Sequence, residues 1–232
     1  VNQRKDNDKT APFLVHEKML TQNFYTITLS QPNANLEEHY LITAYLAANY
    51  NIDTIILPVV FDDFRETGVR TDLINLLLDE LTKKSLNNSL EGLELLKLSP
   101  KNIKDYYLRD HSEKIIEQFL NIHFDLWSLR EFYRGELFFS LYKLRNWLFN
   151  ITPKTTRKKL TGSYKRNYSS LIALLKLAEE KKIKIFGYIA PLRQDVTPPY
   201  DMQEYRKFLN SIDELNKFEF VSFVNFDSIV PP

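Results

Sequence analysis

Two nearly continuous apolar runs, IDTIILPVVF at 52–61 and IKIFGYIA at 183–190, constrain what this chain can fold into more than any other feature. An apolar run of that length, rich in β-branched residues and bounded by polar loops, reads as a strand buried on both faces, and such strands belong to parallel sheets. Each run is followed by a helical pattern. FDDFRET leads from the first to Asp72–Leu86, and the Pro-rich loop 191–199 leads from the second to Asp201–Leu215. Parallel neighbours need a crossover, which a helix supplies. Pro58 removes a ladder donor from the first run, so a bulge or the strand's end is expected near it.

Other segments extend the pattern. Phe24–Leu29 (FYTITL) is aromatic and β-branched and is punctuated by Ser-Gln-Pro-Asn at 30–33, which predicts a strand. Leu36–Tyr50 has helical spacing, with Asn35 in the capping position and Glu37 and Glu38 where the helix dipole favours acids. Tyr168–Lys182 predicts an amphipathic helix, and Phe218–Phe226 a last strand. The expected class is α/β: one domain over 1–232, a parallel sheet with helices on both faces, and a helical insertion at about 87–166 where strand signals vanish.

Within the insertion, Ile103–Ile151 is helical and unusually aromatic, with Trp127, Phe132, Tyr133, Phe138, Phe139, Tyr142, Trp147 and Phe149. Charges every few residues prevent it from spanning a bilayer. Its aromatics either dock the insertion on the core or face a partner or membrane surface, so 103–166 is a candidate interaction region. Lys154–Arg166 holds six basic residues and no acid. It reads as a solvated linker or as a contact for an anionic lipid or polymer.

Composition removes several function classes. Lys+Arg number 31 against 30 Asp+Glu, so the basic excess of a dedicated nucleic-acid binder is missing. The lack of cysteine excludes thiol nucleophiles, disulfides and Cys-type zinc sites. Five glycines leave little for a phosphate-cradling loop, and neither GxGxxG nor a Walker A pattern occurs. His16, His39, His111 and His123 form no metal-ligand spacing, so no metal or cofactor is expected. VNQRKDNDKTAPF at the start has no signal-peptide apolar core.

Ligands of open parallel sheets bind beyond the carboxyl ends of the strands. Three polar clusters are expected there: Ser30–Asn33 with Asn35, Asp62–Glu66, and Arg193–Asp195. Ser30 is the best-placed serine, without a Gly-x-Ser-x-Gly elbow around it. Asp62 and Asp63 are candidates for an oxyanion donor, a base orienter or a substrate clamp. The alternative is a mutually neutralising network of Asp62, Asp63 and Glu66 with Arg65 and Arg70. Arg193 and Asp195 are either an ion pair or a pocket wall, and His39 lies on a helix near this end.

TLSQPNANLEEHYLITAYL, IILPVVFDDFRETGVR and IFGYIAPLRQDVTPPYDMQEYRKFL together resemble the SGNH (GDSL-like) hydrolase superfamily. The nearest likeness is to the branch of DltD-like and polysaccharide-acetylation-associated proteins, over roughly 24–75 and 165–232. The resemblance implies a flavodoxin-like three-layer sandwich. It also implies ester hydrolysis or O-acyl transfer on an acylated polymer or lipid-like substrate, such as a cell-envelope polysaccharide, in an extracytoplasmic or membrane-associated setting. The family's serine sits in a Gly-Asp-Ser block and its histidine in Asp-x-x-His, and neither block occurs in this chain. By position, Asn33 stands where the family has its second-block Gly. Asp62 or Asp63 stands at its Gly-x-Asn-Asp block, with the Asn missing. Arg65, Glu66, Arg193 and Asp195 are then substrate-binding candidates. Either the serine and histidine lie beyond these residues, or the chain is a non-catalytic binding or assembly module that uses the insertion and the basic run.

Overall fold

Three parallel strands in the order β1-β2-β3 form the sheet: β1 Thr54–Val59, β2 Lys184–Ile189 and β3 Val221–Asn225. The computed structural model describes residues 10–29, 33–99, 112, 115–124, 127, 129–150, 156–157, 159–192 and 198–227. They fall into two units, Val1–Ala34 and Asn35–Pro232. The fold class is mixed α/β, as the two apolar runs require.

Register runs unbroken from Thr54↔Lys184 to Val59↔Ile189, so Pro58 makes no bulge. The carbonyls of Asp53 and Val59 accept from the Lys184 and Ala190 amides. Odd-numbered β1 residues therefore face β2, and Pro58, being even-numbered, turns its missing donor away from the ladder. That is where an edge strand tolerates proline. The strand ends one residue later.

Burial on both faces, expected for these runs, is not what β1 and β2 show. Leu57, Val59, Ile185, Gly187 and Ile189 enter the core, while Ile56 and Phe186 remain about two-fifths exposed, at 41% and 39%. A continuous apolar run hides an alternation that only the pleat reveals. Gly187 is required by close approach: a Cβ there would lie 2.1 Å from the ring of Phe223, its partner across β3.

The core is built against the buried face. Helix α2 (Leu36–Asn49) brings Leu36, Tyr40, Leu41 and Ala44 against Leu171, Leu174, Leu175 and Ala178 of a long helix, Thr161–Glu180. The Asn35 side chain caps α2 through the Glu38 amide at 3.0 Å, as the sequence predicts. The single helix expected over 72–86 is instead α3 (Thr71–Ile74), a 3₁₀ turn and α4 (Glu80–Leu86). Asp79 causes the break, because its carboxylate caps α4 through the Thr82 amide at 2.8 Å. Ser89 caps α5 (Leu90–Leu96) in the same way.

Helix α6 (Arg130–Leu148) precedes the long helix, which is α7, and α8 (Met202–Asp213) joins β2 to β3. α7 starts at Thr161, seven residues before the predicted Tyr168, because its first turns are polar and carry no apolar period. α8 is capped by Asp201 and buries Tyr205, Phe208 and Ile212.

Two expectations fail. Phe24–Leu29 forms no strand: it follows α1 (Ala11–Leu20) without a ladder partner among the described residues, and Tyr25 and Ile27 are fully in solvent. Strand propensity without a neighbour does not make a strand. Among the described residues, the aromatic helix α6 does not dock on the core either. From Phe132 to Phe149 every α6 side chain except the half-buried Asn146 is exposed.

Candidate functional site

The chain leaves β1 through Val60 into a tight 3₁₀ turn, Phe61–Phe64. That turn buries its two phenylalanines and pushes the two aspartates between them toward the carboxyl end of the sheet. Phe61 is gripped edge-on by Tyr200 (5.2 Å between centroids, 87°) and by Tyr205, and it also meets Phe208. The aromatic packing fixes the turn, and the turn fixes the carboxylates.

Asp62 and Asp63 have different surroundings. Asp62 Oδ2 accepts from the Arg157 guanidinium and from the Tyr200 hydroxyl at 3.1 Å, and Arg65 Nη1 lies 3.5 Å from its other oxygen. Asp63 folds back to accept from the Val60 amide at 2.9 Å. Burial pushes the Asp63 carboxyl up to about 7. The Val60 bond opposes this, and the charges of Asp62 and Glu66 add to it. Burial, together with the adjacent Asp62 carboxylate, raises the Tyr200 phenol to about 12.

Unsatisfied groups collect at this exit. Among the described residues, Asp62 Oδ1, Arg65 Nε and the Tyr205 hydroxyl are buried here without a hydrogen-bond partner, and a fourth such atom, Ser85 Oγ, lies on α4. Buried polar atoms normally have partners, so a cluster of orphans at a strand's carboxyl end marks a place for a polar ligand or for water.

A buried polar lattice holds the loop that follows. Asn35 Nδ2 donates to the Gly68 carbonyl at 2.8 Å, and Glu37 accepts from the Gly68 amide at 2.7 Å and from Arg166 Nε at 2.6 Å. Gly68 has φ +94°, a left-handed conformation in which glycine is unstrained. Glu38 accepts from the Arg70 amide, Nε and Nη2 at 3.0, 2.9 and 2.6 Å. Burial alone would raise the Glu38 carboxyl, but the Arg70 hydrogen bonds and charge outweigh it and hold it below its usual value. Burial lowers His39; Glu38 opposes that shift and Arg70 reinforces it, which keeps the imidazole neutral at pH 7. Asn167 of α7, fully buried, accepts from the Leu36 amide at 2.9 Å and donates to the Glu66 carbonyl at 2.6 Å.

Asp62, Asp63 and Arg65 therefore come together at the β1 exit, with Glu66 exposed beside them. The neutralising network takes a different form from the one expected: Arg70 leaves it to pair with Glu38, and Arg157 from the basic run replaces it. Arg157 and Arg166 remain exposed, as a solvated run implies, but each reaches a carboxylate of the core unit. Asn33 is exposed in the N-terminal unit with φ +53°. Ser30, Arg193 and Asp195 lie outside the described residues. Tyr200 was legible only as part of PPYD, Tyr205 carried no signal beyond helical spacing, and Asn167 lies one residue before the predicted helix. Among the described residues no group of three His, Asp or Glu side chains could hold a metal ion, and no helix is long and apolar enough to cross a membrane.

Replacing Tyr200 with Phe isolates the hydroxyl, because the ring keeps its packing on Phe61. We expect a loss of about 1 kcal/mol, read as a lower urea midpoint at constant m. An unchanged midpoint would mean that the bond to Asp62 contributes nothing. Comparison with protein-family models, curated proteins and solved structures finds no match to this chain.

Proposed function

We propose that this chain provides the scaffold of an SGNH-like ester hydrolase or O-acyltransferase, with a flavodoxin-like three-layer arrangement, acting on an acylated polymer or lipid-like substrate. The observation that carries the reading is the β1 exit: a carboxyl raised to about 7 beside orphaned polar atoms, at the end of a parallel sheet where ligands bind. In such chemistry a serine oxygen attacks the ester carbonyl carbon and its proton passes to a histidine. The carbonyl oxygen becomes an oxyanion, and collapse expels the alcohol, which takes the proton. The reading assigns serine and histidine to residues other than those described and gives the β1 exit a supporting role. Neutral Asp63 donates a hydrogen bond toward the developing oxyanion, as a carboxylic acid kept protonated can. Arg65 and Asp62 line the substrate's approach.

Turnover of short acyl esters by the longest natural form of the protein tests this. Asp63→Ala is expected to lower kcat about 100-fold, the usual effect of losing one oxyanion donor. The wild type should show an alkaline limb near pH 7 as Asp63 ionises, and Asp63→Asn, whose amide donates at every pH, should remove that limb. Turnover by Asp63→Ala equal to wild type would overturn the role.

The second reading, a non-catalytic binding or assembly module, is favoured by one specific observation: α6 leaves its aromatic side chains uncovered.

A further inference from the structure

We infer that α6 forms a docking surface for anionic lipid bilayers. The inference rests on this helix and is independent of ester hydrolysis. Its first support is charge. From Leu137 to Ala178 the chain carries nine Lys and Arg residues and no Asp or Glu. Arg157 and Arg166 are engaged with Asp62 and Glu37, but Lys143 and Arg145 of α6 face solvent.

The second support is the arrangement of α6. Tyr133, Leu137, Leu141, Leu144 and Leu148 recur at helical spacing, which places them on one stripe, and all are exposed. At 100° per residue, Arg134 and Arg145 flank that stripe on one side, and Lys143 lies on the other with Glu136 beside it. Trp147, 77% exposed, sits at its edge. The cations lie over aromatic rings: Lys143 Nζ is 4.2 Å from the Phe139 centroid, and the Arg145 guanidinium is 4.8 Å from that of Tyr142. An apolar stripe with basic flanks and an interfacial tryptophan suits a helix lying in the headgroup plane, with leucines in the acyl boundary and basic groups at the phosphates.

A lipid surface fits better than a second copy of the chain. A parallel pair of such helices would set Arg134, Lys143 and Arg145 against like charges; an antiparallel pair could oppose Glu136 to Lys143, but α6 would still carry four basic residues against two acids. Anionic lipid offers counter-charge to Arg134, Lys143 and Arg145 together.

The protein's two tryptophans are Trp127, three residues before α6, and Trp147 within it, and both are exposed, so intrinsic fluorescence reports on this helix and its immediate approach. Vesicles of phosphatidylcholine with about one-third phosphatidylglycerol are expected to shift the emission to the blue and to carry the protein down on sedimentation, and pure phosphatidylcholine is expected to bind far less. Raising salt to about 0.5 M should weaken binding, because the Debye length falls well below that at physiological salt. Lys143→Glu with Arg145→Glu should reduce partitioning about tenfold or more. Leu144→Glu, at an exposed position, should do the same while leaving the far-UV spectrum of a folded protein. Absence of a shift with the anionic vesicles, or equal binding by the charge-reversed variant, would overturn the inference. So would a concentration-dependent dimer that Leu144→Glu dissolves without any vesicle binding. Loss of ester turnover would leave the vesicle result untouched, so the two readings fail separately.

Discussion

Asp63→Asn is expected to stabilise the protein above pH 7 by on the order of 2–4 kcal/mol and to do almost nothing near pH 4. The sign follows from the raised carboxyl. Unfolded Asp ionises near 3.9, whereas folded Asp63 holds its proton to about 7. Between those values the native state binds more protons than the unfolded chain, so stability falls as pH rises and then levels off above about 7. Asparagine keeps an oxygen for the Val60 amide and has no charge to desolvate, so it escapes the penalty. Urea unfolding of both proteins from pH 4 to 8 checks this. A difference independent of pH would show that Asp63 is not the titrating group. Glu38 works in the opposite direction: its carboxyl is held low, so its contribution is present above the unfolded value and is lost as the solution is acidified.

Asn167→Ala is expected to cost about 3–5 kcal/mol, placing it among the most damaging single changes in the chain. The side chain is fully buried, and it joins the first turn of α2 to the loop after β1. Alanine leaves the Leu36 amide and the Glu66 carbonyl without their partner and opens a cavity between them. At roughly 2–4 °C per kcal/mol for a protein of this size, the thermal midpoint should fall by roughly 10 °C. Asn167→Asp retains an acceptor for Leu36 but sets a buried carboxyl against the Glu66 and Ser163 carbonyls, so at pH 7 it is expected to cost at least as much as alanine. A loss below 1 kcal/mol for the alanine variant would mean that water replaces the amide.

Much of the architecture was legible because apolar periodicity carries it. The runs at 52–61 and 183–190 became adjacent parallel strands, and the caps at Asn35 and Asp201 stand where short polar residues precede apolar periods. What the sequence concealed has a common physical cause, since it depends on neighbours. FYTITL has strand chemistry and no ladder partner among the described residues. The one-sidedness of β1 and β2 could not be read from runs that are apolar at nearly every position. The aromatic helix read first as docking inward, and only its packing shows that it faces outward.

The candidate site was legible as a place and only partly as a set of residues. Asp62, Asp63 and Arg65 were found from strand-end logic alone. Arg157 and Tyr200, which complete the surroundings of Asp62, lie 95 and 138 residues away in the chain. No local spacing announces such a pair. The Asn167 lattice is invisible for the same reason, because a polar residue in an amphipathic helix reads as solvent-facing until packing shows otherwise.

The most direct test of the central claim is fluorophosphonate labelling of the longest natural form of the chain, with peptide mapping of the adduct. The serine oxygen of an acyl-transfer enzyme attacks the phosphorus and displaces fluoride, and the bond that forms marks the nucleophile. The account predicts a label on a single serine, slowed by Asp63→Ala. A label on Ser30 would place that nucleophile within the present residues. No label on the folded protein, with a reactive serine esterase labelled in parallel, would contradict ester hydrolysis.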